Sequence, residues 1–315
     1  MFSQFAKDVV AGLGATPKSL PSKYFYDALG DELFIKIMDL PEYYLTRAEM
    51  DIFTQQTNEL IAALGQVPTM HFELVELGAG DGQKTLHLLE GLLAAGYDFT
   101  YVPVDISSHV LKQLEARLAE HLPELHIAPK TGDYFEQLNI LYETETPRVV
   151  LYLGSNLGNL TDLKAAIFLE ELSDCLKSAD RLILGVDQIK SADIILPAYS
   201  DAGGVTAAFN LNLLARIKRE LGGEFDLNTF QHTAEYSEET GIAASYLVSL
   251  IEQSIRIEVL DRSFDFAEGE RIHTEISRKY DLKLVENIIG NTRFQITGIL
   301  RDSDDYFLDI IMVRK

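Results

Sequence analysis

A glycine-rich turn in the first third of the chain has the residue types and spacing of a nucleotide-binding loop. Residues 71–85 read His-Phe-Glu-Leu-Val-Glu-Leu-Gly-Ala-Gly-Asp-Gly-Gln-Lys-Thr. Phe72–Leu77 is short, apolar and stopped by glycine, which predicts a buried strand. Gly78, Gly80 and Gly82 allow a sharp turn and let a ligand lie against the backbone with no Cβ in the way.

The spacing of these glycines narrows the ligand. A dinucleotide fingerprint is G-x-G-x-x-G, which seats a pyrophosphate on a helix N-terminus. Here the pattern is G-x-G-x-G, with Glu76 ahead of it and Asp81 where a phosphate would be crowded. This favours a nucleoside without phosphate, and residues 75–82 resemble the first motif of class I S-adenosylmethionine (SAM) methyltransferases. A glycine-rich turn alone is also compatible with a plain tight turn.

Two acidic residues further along the chain suit the rest of such a ligand. Asp105 ends a second predicted strand, Thr100–Val104, where a carboxylate is placed to accept from both ribose hydroxyls. Asp133 follows a third predicted strand, Leu125–Ala128, and can accept from the exocyclic amine of adenine. It can equally cap the helix after it.

Composition excludes several classes of partner. The chain has 315 residues, 47% hydrophobic and 24% charged, which is typical of a globular protein. A formal net charge of −22 argues against nucleic acid or an anionic membrane as partner, since both need clustered Lys and Arg. We therefore expect a small-molecule substrate and a monomer.

Cysteine usage and the chain start favour a cytoplasmic protein. The single cysteine, Cys175, rules out an intrachain disulfide, and its neighbours Leu169 and Leu172 predict a core position. No apolar run reaches transmembrane length. The Lys7-Asp8 pair stands where a signal peptide needs apolar residues. The seven histidines and one cysteine lack metal-ligand spacing, so we predict no metal site.

The predicted elements give an α/β fold. Strands and helices alternate through residues 72–186, with a helix Gln83–Leu93 after the glycine turn and two more strands, Arg148–Leu153 and Arg181–Val186. A terminal hairpin, Phe294–Leu300 and Tyr306–Val313, follows. Five strands of this kind and a C-terminal antiparallel hairpin predict the Rossmann-like sheet of class I methyltransferases rather than an all-parallel dinucleotide sheet.

The remaining residues predict a second, α+β domain. Its parts are the N-terminal segment, with helices at Asp31–Leu40 and Thr46–Leu64, and an insertion with two helices in 187–222 and antiparallel strands in 228–259. We predict a SAM-binding domain of residues 53–189 and 279–315, and a substrate-binding lid domain of residues 1–52 and 190–278 over the strand ends. Four tyrosines lie in the first segment and either fill its core or form a lid: Tyr24, Tyr26, Tyr43 and Tyr44.

Six segments, in order along the chain, resemble the histidine Nα-methyltransferase family of ergothioneine biosynthesis. They are Tyr24-Phe-Tyr-Asp with Gly30 and Leu33-Phe34, residues 40–49 (Leu-Pro-Glu-Tyr-Tyr-Leu-Thr-Arg-Ala-Glu), Glu76-Leu-Gly-Ala-Gly with Lys84-Thr85, residues 153–160, residues 202–214, and Thr274-Glu-Ile-Ser277. The resemblance covers nearly the whole chain and includes segments outside the cofactor fold.

The resemblance implies two sets of site residues. The SAM set is Tyr26, Phe34, Gly78, Gly80, Lys84, Asp105, Asp133, Tyr134 and Gly154. The substrate set is Tyr43, Asn159, Tyr199, Thr206, Phe209, Glu275 and Ser277. Tyr26 and Asn159 are the candidate catalytic positions. Glu275 and Ser277 suit the two nitrogens of an imidazole, although Ser277 could instead cap a helix and Tyr43 could be packing.

One position departs from the family pattern. A bulky apolar residue of the family's substrate pocket falls about where Ser245 stands, and a smaller side chain there would widen the pocket. An alignment shifted by one places Tyr246 in the pocket instead. Histidine is therefore the first expectation, and another amino acid or small amine is the alternative. A SAM-dependent enzyme acting on an unrelated amine or phenol, and a non-catalytic SAM-binding module, are the other classes.

Overall fold

The computed structural model describes residues 2–132 and 145–315. It consists of two compact units, each made of two stretches of chain. Unit 1 comprises Met1–Tyr44 and Lys190–Ser277, and unit 2 comprises Leu45–Ile189 and Arg278–Lys315.

The first boundary between the units differs from the predicted one. It falls after Tyr44, whereas we predicted a boundary after residue 52. The reason is packing, because Ile52 and Phe53 belong to the same buried apolar cluster as Phe72 and Leu74 of unit 2. The cofactor and substrate roles assigned to the two domains stay predictions.

The N-terminal segment of unit 1 holds helix α1 (Gln4–Leu13), strand β1 (Lys18–Ser19) and helix α2 (Ala28–Met38). Helix α2 begins three residues earlier than predicted, because the Asp27 carboxylate accepts from the Gly30 N–H at 2.8 Å and caps the helix.

The first elements of unit 2 correct a second expectation. The predicted single helix Thr46–Leu64 is two helices, α3 (Tyr44–Gln55) and α4 (Thr57–Ala63). The helix breaks at Gln56, whose backbone is not helical and whose side-chain amide donates to the Arg301 carbonyl at 2.7 Å. The two residues are 245 positions apart, so the sequence around Gln56 does not indicate that the helix breaks there.

The parallel part of the main sheet follows. Its elements are β2 (Phe72–Leu77), α5 (Gln83–Ala94), β3 (Phe99–Asp105), α6 (Ser108–His121), β4 (His126–Ile127), β5 (Lys130–Thr131), β6 (Arg148–Tyr152), α7 (Asp162–Cys175) and β7 (Arg181–Asp187). The predicted third strand, 125–128, is replaced by the short strands β4 and β5, which both pair with β3. Cys175 is buried as predicted.

The insertion completes unit 1 with α8 (Ala192–Tyr199), α9 (Val205–Leu221), β8 (Phe230–Ser237), β9 (Ile242–Ser249), β10 (Gln253–Ile257), β11 (Arg262–Phe266) and β12 (Arg271–Arg278). These strands form two sheets among the described residues, one of order β1-β12-β9-β8 and one of β10 with β11. Strands β1, β11 and β12 were not predicted. The core of this unit packs helix α9 against the larger sheet, with Phe209, Leu213 and Leu247 buried.

The chain returns to unit 2 with α10 (Leu282–Ile288), β13 (Phe294–Arg301) and β14 (Phe307–Arg314). The strand order of the main sheet is β13-β14-β7-β6-β2-β3-β4, and β14 runs antiparallel to both of its neighbours. The predicted class I sheet with its C-terminal hairpin is thereby confirmed. The carboxyl ends of β6, β2 and β3 lie side by side, which is where open α/β sheets bind ligands.

Candidate active site

The glycine turn after β2 is formed as predicted. Gly78, Gly80 and Gly82 have φ of 73°, 54° and 62°, a region that side chains with a Cβ rarely adopt. A Cβ on Gly80 would meet no atom within 4 Å, whereas one on Gly78 would stand 2.7 Å from the Asn156 amide nitrogen. The backbone at Gly80 therefore borders open space that a ligand can fill.

Asp105 lies at the end of β3 beside this turn. Its two carboxylate oxygens accept from the backbone N–H groups of Gly80, at 3.0 Å, and Ser107, at 2.9 Å. Burial raises the pKa of Asp105, and the two N–H donors offset part of that rise. A carboxylate has about four acceptor sites, so both oxygens retain capacity for ribose hydroxyls. The predicted role of Asp105 is compatible with this geometry and stays a prediction.

Glu76 lies beneath the turn. It is buried, and its oxygens accept from the hydroxyls of Thr85, at 2.8 Å, and Tyr101. Burial raises the pKa of Glu76 to about 7, against the lowering effect of these donors. Glu76 therefore supports the turn by joining β2, α5 and β3.

Lys84 forms a buried ion pair that the sequence analysis did not predict. Its Nζ donates to the Glu49 carboxylate, whose side chain has no exposed surface. The same carboxylate accepts from the Gly154 N–H, at 2.9 and 3.0 Å to its two oxygens. Glu49 thus joins two predicted cofactor positions, Lys84 and Gly154. The only signal in the sequence is a carboxylate on an otherwise apolar helix face.

The loop after β6 brings Asn159 to the same end of the sheet. Gly154 and Ser155 both have left-handed backbones, with φ of 69° and 55°. The Ser155 hydroxyl accepts from the Asp187 N–H at 3.0 Å, which holds this strained turn in place. A short 3-10 helix, Asn156–Asn159, follows directly. Gly154 and Asn159 are thus presented by one loop of unit 2.

Unit 1 brings four predicted aromatic residues together. Phe34 is the centre of the group, with ring centroids 5.7 Å from Tyr26, 5.8 Å from Phe209 and 6.3 Å from Tyr43. Tyr26 and Phe209 are 5.8 Å apart. We call Tyr26, Phe34, Tyr43 and Phe209 the aromatic cluster. Its ring faces have the negative potential that attracts a cation.

The polar substrate candidates of unit 1 lie on other elements. The Tyr199 and Ser277 hydroxyls are hydrogen-bonded at 2.7 Å in the interior. Thr206 is buried at the start of α9, and its N–H donates to Asp201 at 2.7 Å. Glu275 is half-buried on β12. Ser277 lies on the same strand, so the alternative that it caps a helix is wrong.

The whole sequence agrees with a known family. Residues 5–314 match the family described as histidine-specific methyltransferases, SAM-dependent. The chain belongs to this family. It is therefore a SAM-dependent methyltransferase, as the resemblance in its motifs predicted.

The chain is similar to proteins with different printed names. The chain is 42% identical over 274 residues to a histidine N-alpha-methyltransferase of Mycolicibacterium smegmatis, covering 87% of this chain and 84% of that protein. It is 29% identical over 235 residues to ergothioneine biosynthesis protein 1 of Schizosaccharomyces pombe, covering 72% of this chain and 30% of that protein. It is 31% identical over 208 residues to a 4-dimethylallyltryptophan N-methyltransferase of Claviceps fusiformis, covering 62% of this chain and 57% of that protein.

Ser245, the position at which we expect a departure from the family pattern, is 1% exposed on β9. It shares a face of the strand with Leu247, a residue of the unit 1 core. Tyr246 points to the opposite face, where the Arg271 guanidinium lies 3.5 Å from its ring centroid. The two alignments proposed for this segment therefore place different faces of β9 toward the substrate, and Ser245 is on the face with buried residues.

Two residues that we assigned to adenine, Asp133 and Tyr134, lie outside the described residues.

Within residues 2–132 and 145–315, no group of three His, Cys, Asp or Glu side chains is arranged to hold a metal ion. Every helix in those ranges is too short or too polar to span a membrane.

Proposed function

We propose that this enzyme methylates the α-amino nitrogen of free L-histidine, ending at N-α,N-α,N-α-trimethylhistidine (hercynine). The observation that carries the proposal is the aromatic cluster of unit 1, in a member of a histidine-specific family. Aromatic faces stabilise a quaternary ammonium, which is what the fully methylated amine becomes. The high identity to the Mycolicibacterium smegmatis histidine N-alpha-methyltransferase supports the same substrate.

The residues at the carboxyl edge of the main sheet fit SAM. Asp105 offers a carboxylate for the ribose hydroxyls, and the open backbone at Gly80 admits a ligand at close range. Gly78, Lys84 and Gly154 are the other residues that we assign to SAM at this edge. Tyr26 and Phe34 of unit 1 are also in the proposed SAM set. When bound, SAM supplies an electrophilic methyl group on a sulfonium.

The chain's own contribution is positioning. A free α-amine has a pKa of about 8 or above, so some neutral amine with a free lone pair is present without a strong base. We assign the Asn159 amide to accept from that amine and to donate to the carboxylate of the amino acid. Holding the nitrogen in line with the methyl group and excluding water lowers the barrier by pre-organisation. The nitrogen releases a proton for each methyl group that it gains.

We assign the selection of histidine to two residues of β12 and to Tyr199 of α8, which is hydrogen-bonded to that strand. Glu275 and the hydroxyl pair of Ser277 and Tyr199 offer one charged acceptor and one neutral partner for the two imidazole nitrogens. Tyr43, Thr206 and Phe209 are assigned to the wall of the same pocket. A pocket with such polar groups rejects a ring that leaves them unpaired.

A second candidate is a different amino acid substrate. The small side chain of Ser245 and the similarity to a 4-dimethylallyltryptophan N-methyltransferase favour it. A non-catalytic SAM-binding module is a third candidate, and the intact aromatic cluster and Asp105 argue against it.

One experiment separates these candidates. The purified enzyme is incubated with SAM and the twenty amino acids in one pool, and mass spectrometry records shifts of +14, +28 and +42. We expect all three shifts on histidine alone. The same shifts on another amino acid would replace histidine as substrate, and SAM binding without any shift would favour the binding module.

A further inference from the structure

We propose that Glu49 is a positioning residue for the methionine half of SAM, acting through Lys84 and Gly154. The proposal rests on the SAM role given above and adds a residue to that site. Glu49 lies on α3, distant in sequence from the glycine turn, and no motif of the cofactor fold contains it.

The hydrogen bonds of Glu49 carry the proposal. Its buried carboxylate accepts from the Lys84 side chain on α5 and, with both oxygens, from the Gly154 N–H after β6. The fold makes room for this carboxylate, because a Cβ on Gly185 of β7 would stand 2.2 Å from Glu49 Oε1. One carboxylate therefore fixes a helix side chain and a loop backbone at the carboxyl edge of the sheet.

The charge of this group suits a cationic ligand. Burial alone would lower the pKa of Lys84, but the Glu49 carboxylate raises it above its ordinary value, so Lys84 is charged. Asp309 lies against the same glycine, with Oδ1 3.1 Å from the Gly185 Cβ position. Burial, with the charge of Glu49, raises the pKa of Asp309 well above its ordinary range. The Glu49 carboxylate compensates the charge of Lys84, so a sulfonium near this pair does not face an isolated lysine charge.

Strand order identifies the half of SAM concerned. Strands β6, β2 and β3 are neighbours in that order. Asp105 ends β3 and is assigned to the ribose, while Gly154 follows β6 on the other side of β2. With adenosine held on the β3 side, the methionine portion extends toward β6, where Glu49 holds Gly154 and Lys84.

The test compares two ligands in Glu49→Gln. S-adenosylhomocysteine has the amino-acid half, and 5′-methylthioadenosine lacks it. Glutamine keeps the size of the side chain and one acceptor oxygen while removing the charge opposite Lys84. By calorimetry, we expect S-adenosylhomocysteine to bind about ten- to a hundred-fold more weakly, the usual effect of losing a charge-assisted bond, and methylthioadenosine to bind as in wild type.

A matched control uses a second carboxylate of the same sheet. Glu73, near the start of β2, accepts from the Arg148 guanidinium at 2.9 Å, at the opposite end of the strand from Gly78. Glu73→Gln should bind both ligands as wild type does. Unchanged S-adenosylhomocysteine affinity in Glu49→Gln, or an equal loss for both ligands, would overturn the proposal.

A second variant tests the proposal if Glu49→Gln folds poorly. Glu49→Gln with Lys84→Met leaves no unpaired charge in the interior and should fold. It should show the same selective loss of S-adenosylhomocysteine, and wild-type affinity there would overturn the proposal. If the wild type binds neither ligand, the proposed function fails. If it binds both without methylating histidine, the Glu49 test is still decisive.

Discussion

Asp105 is the residue on which cofactor binding should depend most. Asp105→Ala removes the charged acceptor that we assign to two ribose hydroxyls. The affinity for SAM should fall by at least about ten- to a hundred-fold, because the loss of even one charge-assisted bond costs roughly 1.5–3 kcal/mol. Isothermal calorimetry with SAM measures this directly.

A control for this variant lies at the other end of the same strand. Asp98 precedes β3, is exposed, and contacts His71 at 2.9 Å. Asp98→Ala should bind SAM as wild type does. Equal affinities in both variants would show that Asp105 only caps the Gly80 and Ser107 N–H groups.

Glu275 should determine the preference for an imidazole. Glu275→Ala should lower kcat/KM for histidine by roughly ten- to a hundred-fold, the effect of one charge-assisted bond, and much less for phenylalanine or tryptophan. Steady-state kinetics with the three amino acids gives the ratio. SAM affinity in the variant, measured separately, should stay at the wild-type value. A proportional loss on all three substrates would assign Glu275 a structural role.

The sequence could propose a role for a residue where the pattern is local. Asp105 was proposed for the ribose because an acid at a strand end, a fixed distance after a glycine turn, is a local pattern, and the structure places it beside that turn. Glu49 was assigned no role, because its partners Lys84 and Gly154 are 35 and 105 positions away. A single carboxylate on a helix resembles a solvated charge until the partners that bury it are known.

The strands of the main sheet could be predicted because their sequence pattern is also local. Strands such as β2 and β7 are short, mainly apolar segments ended by glycine or a charge, and their bounds agree with the prediction within one or two residues. Strand β1 has two residues and exists only by pairing with Ile272 and His273 of β12. The sequence of β1 has no strand pattern, so this strand forms only because β12 pairs with it.

Gly185 links two elements, strand β7 and helix α3, and its substitution tests that contact. Gly185→Ala places a methyl group where Glu49 Oε1 now lies, only 2.2 Å from the new carbon. The free energy of unfolding should fall by about 1–3 kcal/mol, as for overpacked cores. Urea denaturation followed by circular dichroism measures the change.

The matched substitution is Gly203→Ala in unit 1. Its new Cβ would have a single close neighbour, Asp201 Oδ2 at 3.3 Å, in an exposed turn. That variant should stay within about 0.5 kcal/mol of wild type. If Gly185→Ala is equally mild, the Glu49 carboxylate is free to move, and the tight contact on β7 does not constrain it.

The pKa values of buried titratable groups are shifted in opposite directions in the two units. In unit 2, burial raises the pKa of Glu76 to about 7 and also raises the pKa of Asp105 and Asp309. These groups hold a proton more tightly when folded. The contribution of Glu76 to stability is fully present below its unfolded pKa of about 4.5 and is lost as pH rises through 7. The contributions of Asp105 and Asp309 change in the same direction with pH.

Unit 1 shows the opposite pattern. Burial lowers the pKa of His232 to about 4, although the charge of Asp201 opposes this. For Asp27 and Asp201, burial is outweighed by hydrogen bonds that lower their pKa values. His232 is neutral when folded, so its contribution is present above the unfolded pKa of about 6.5 and is lost as pH falls toward 4.

Acidification from pH 7 to pH 5 should therefore stabilise unit 2 and destabilise unit 1. Each shift of about 2.5 pKa units is worth up to about 3 kcal/mol, and most of that change falls within this pH range. Hydrogen exchange with mass spectrometry, corrected for the pH dependence of intrinsic exchange, reports protection for peptides of each unit. Glu76→Gln should flatten the response of unit 2 alone, and His232→Asn that of unit 1 alone. Protection that changes in the same direction in both units would contradict the assignment of Glu76 and His232 as the groups that set it.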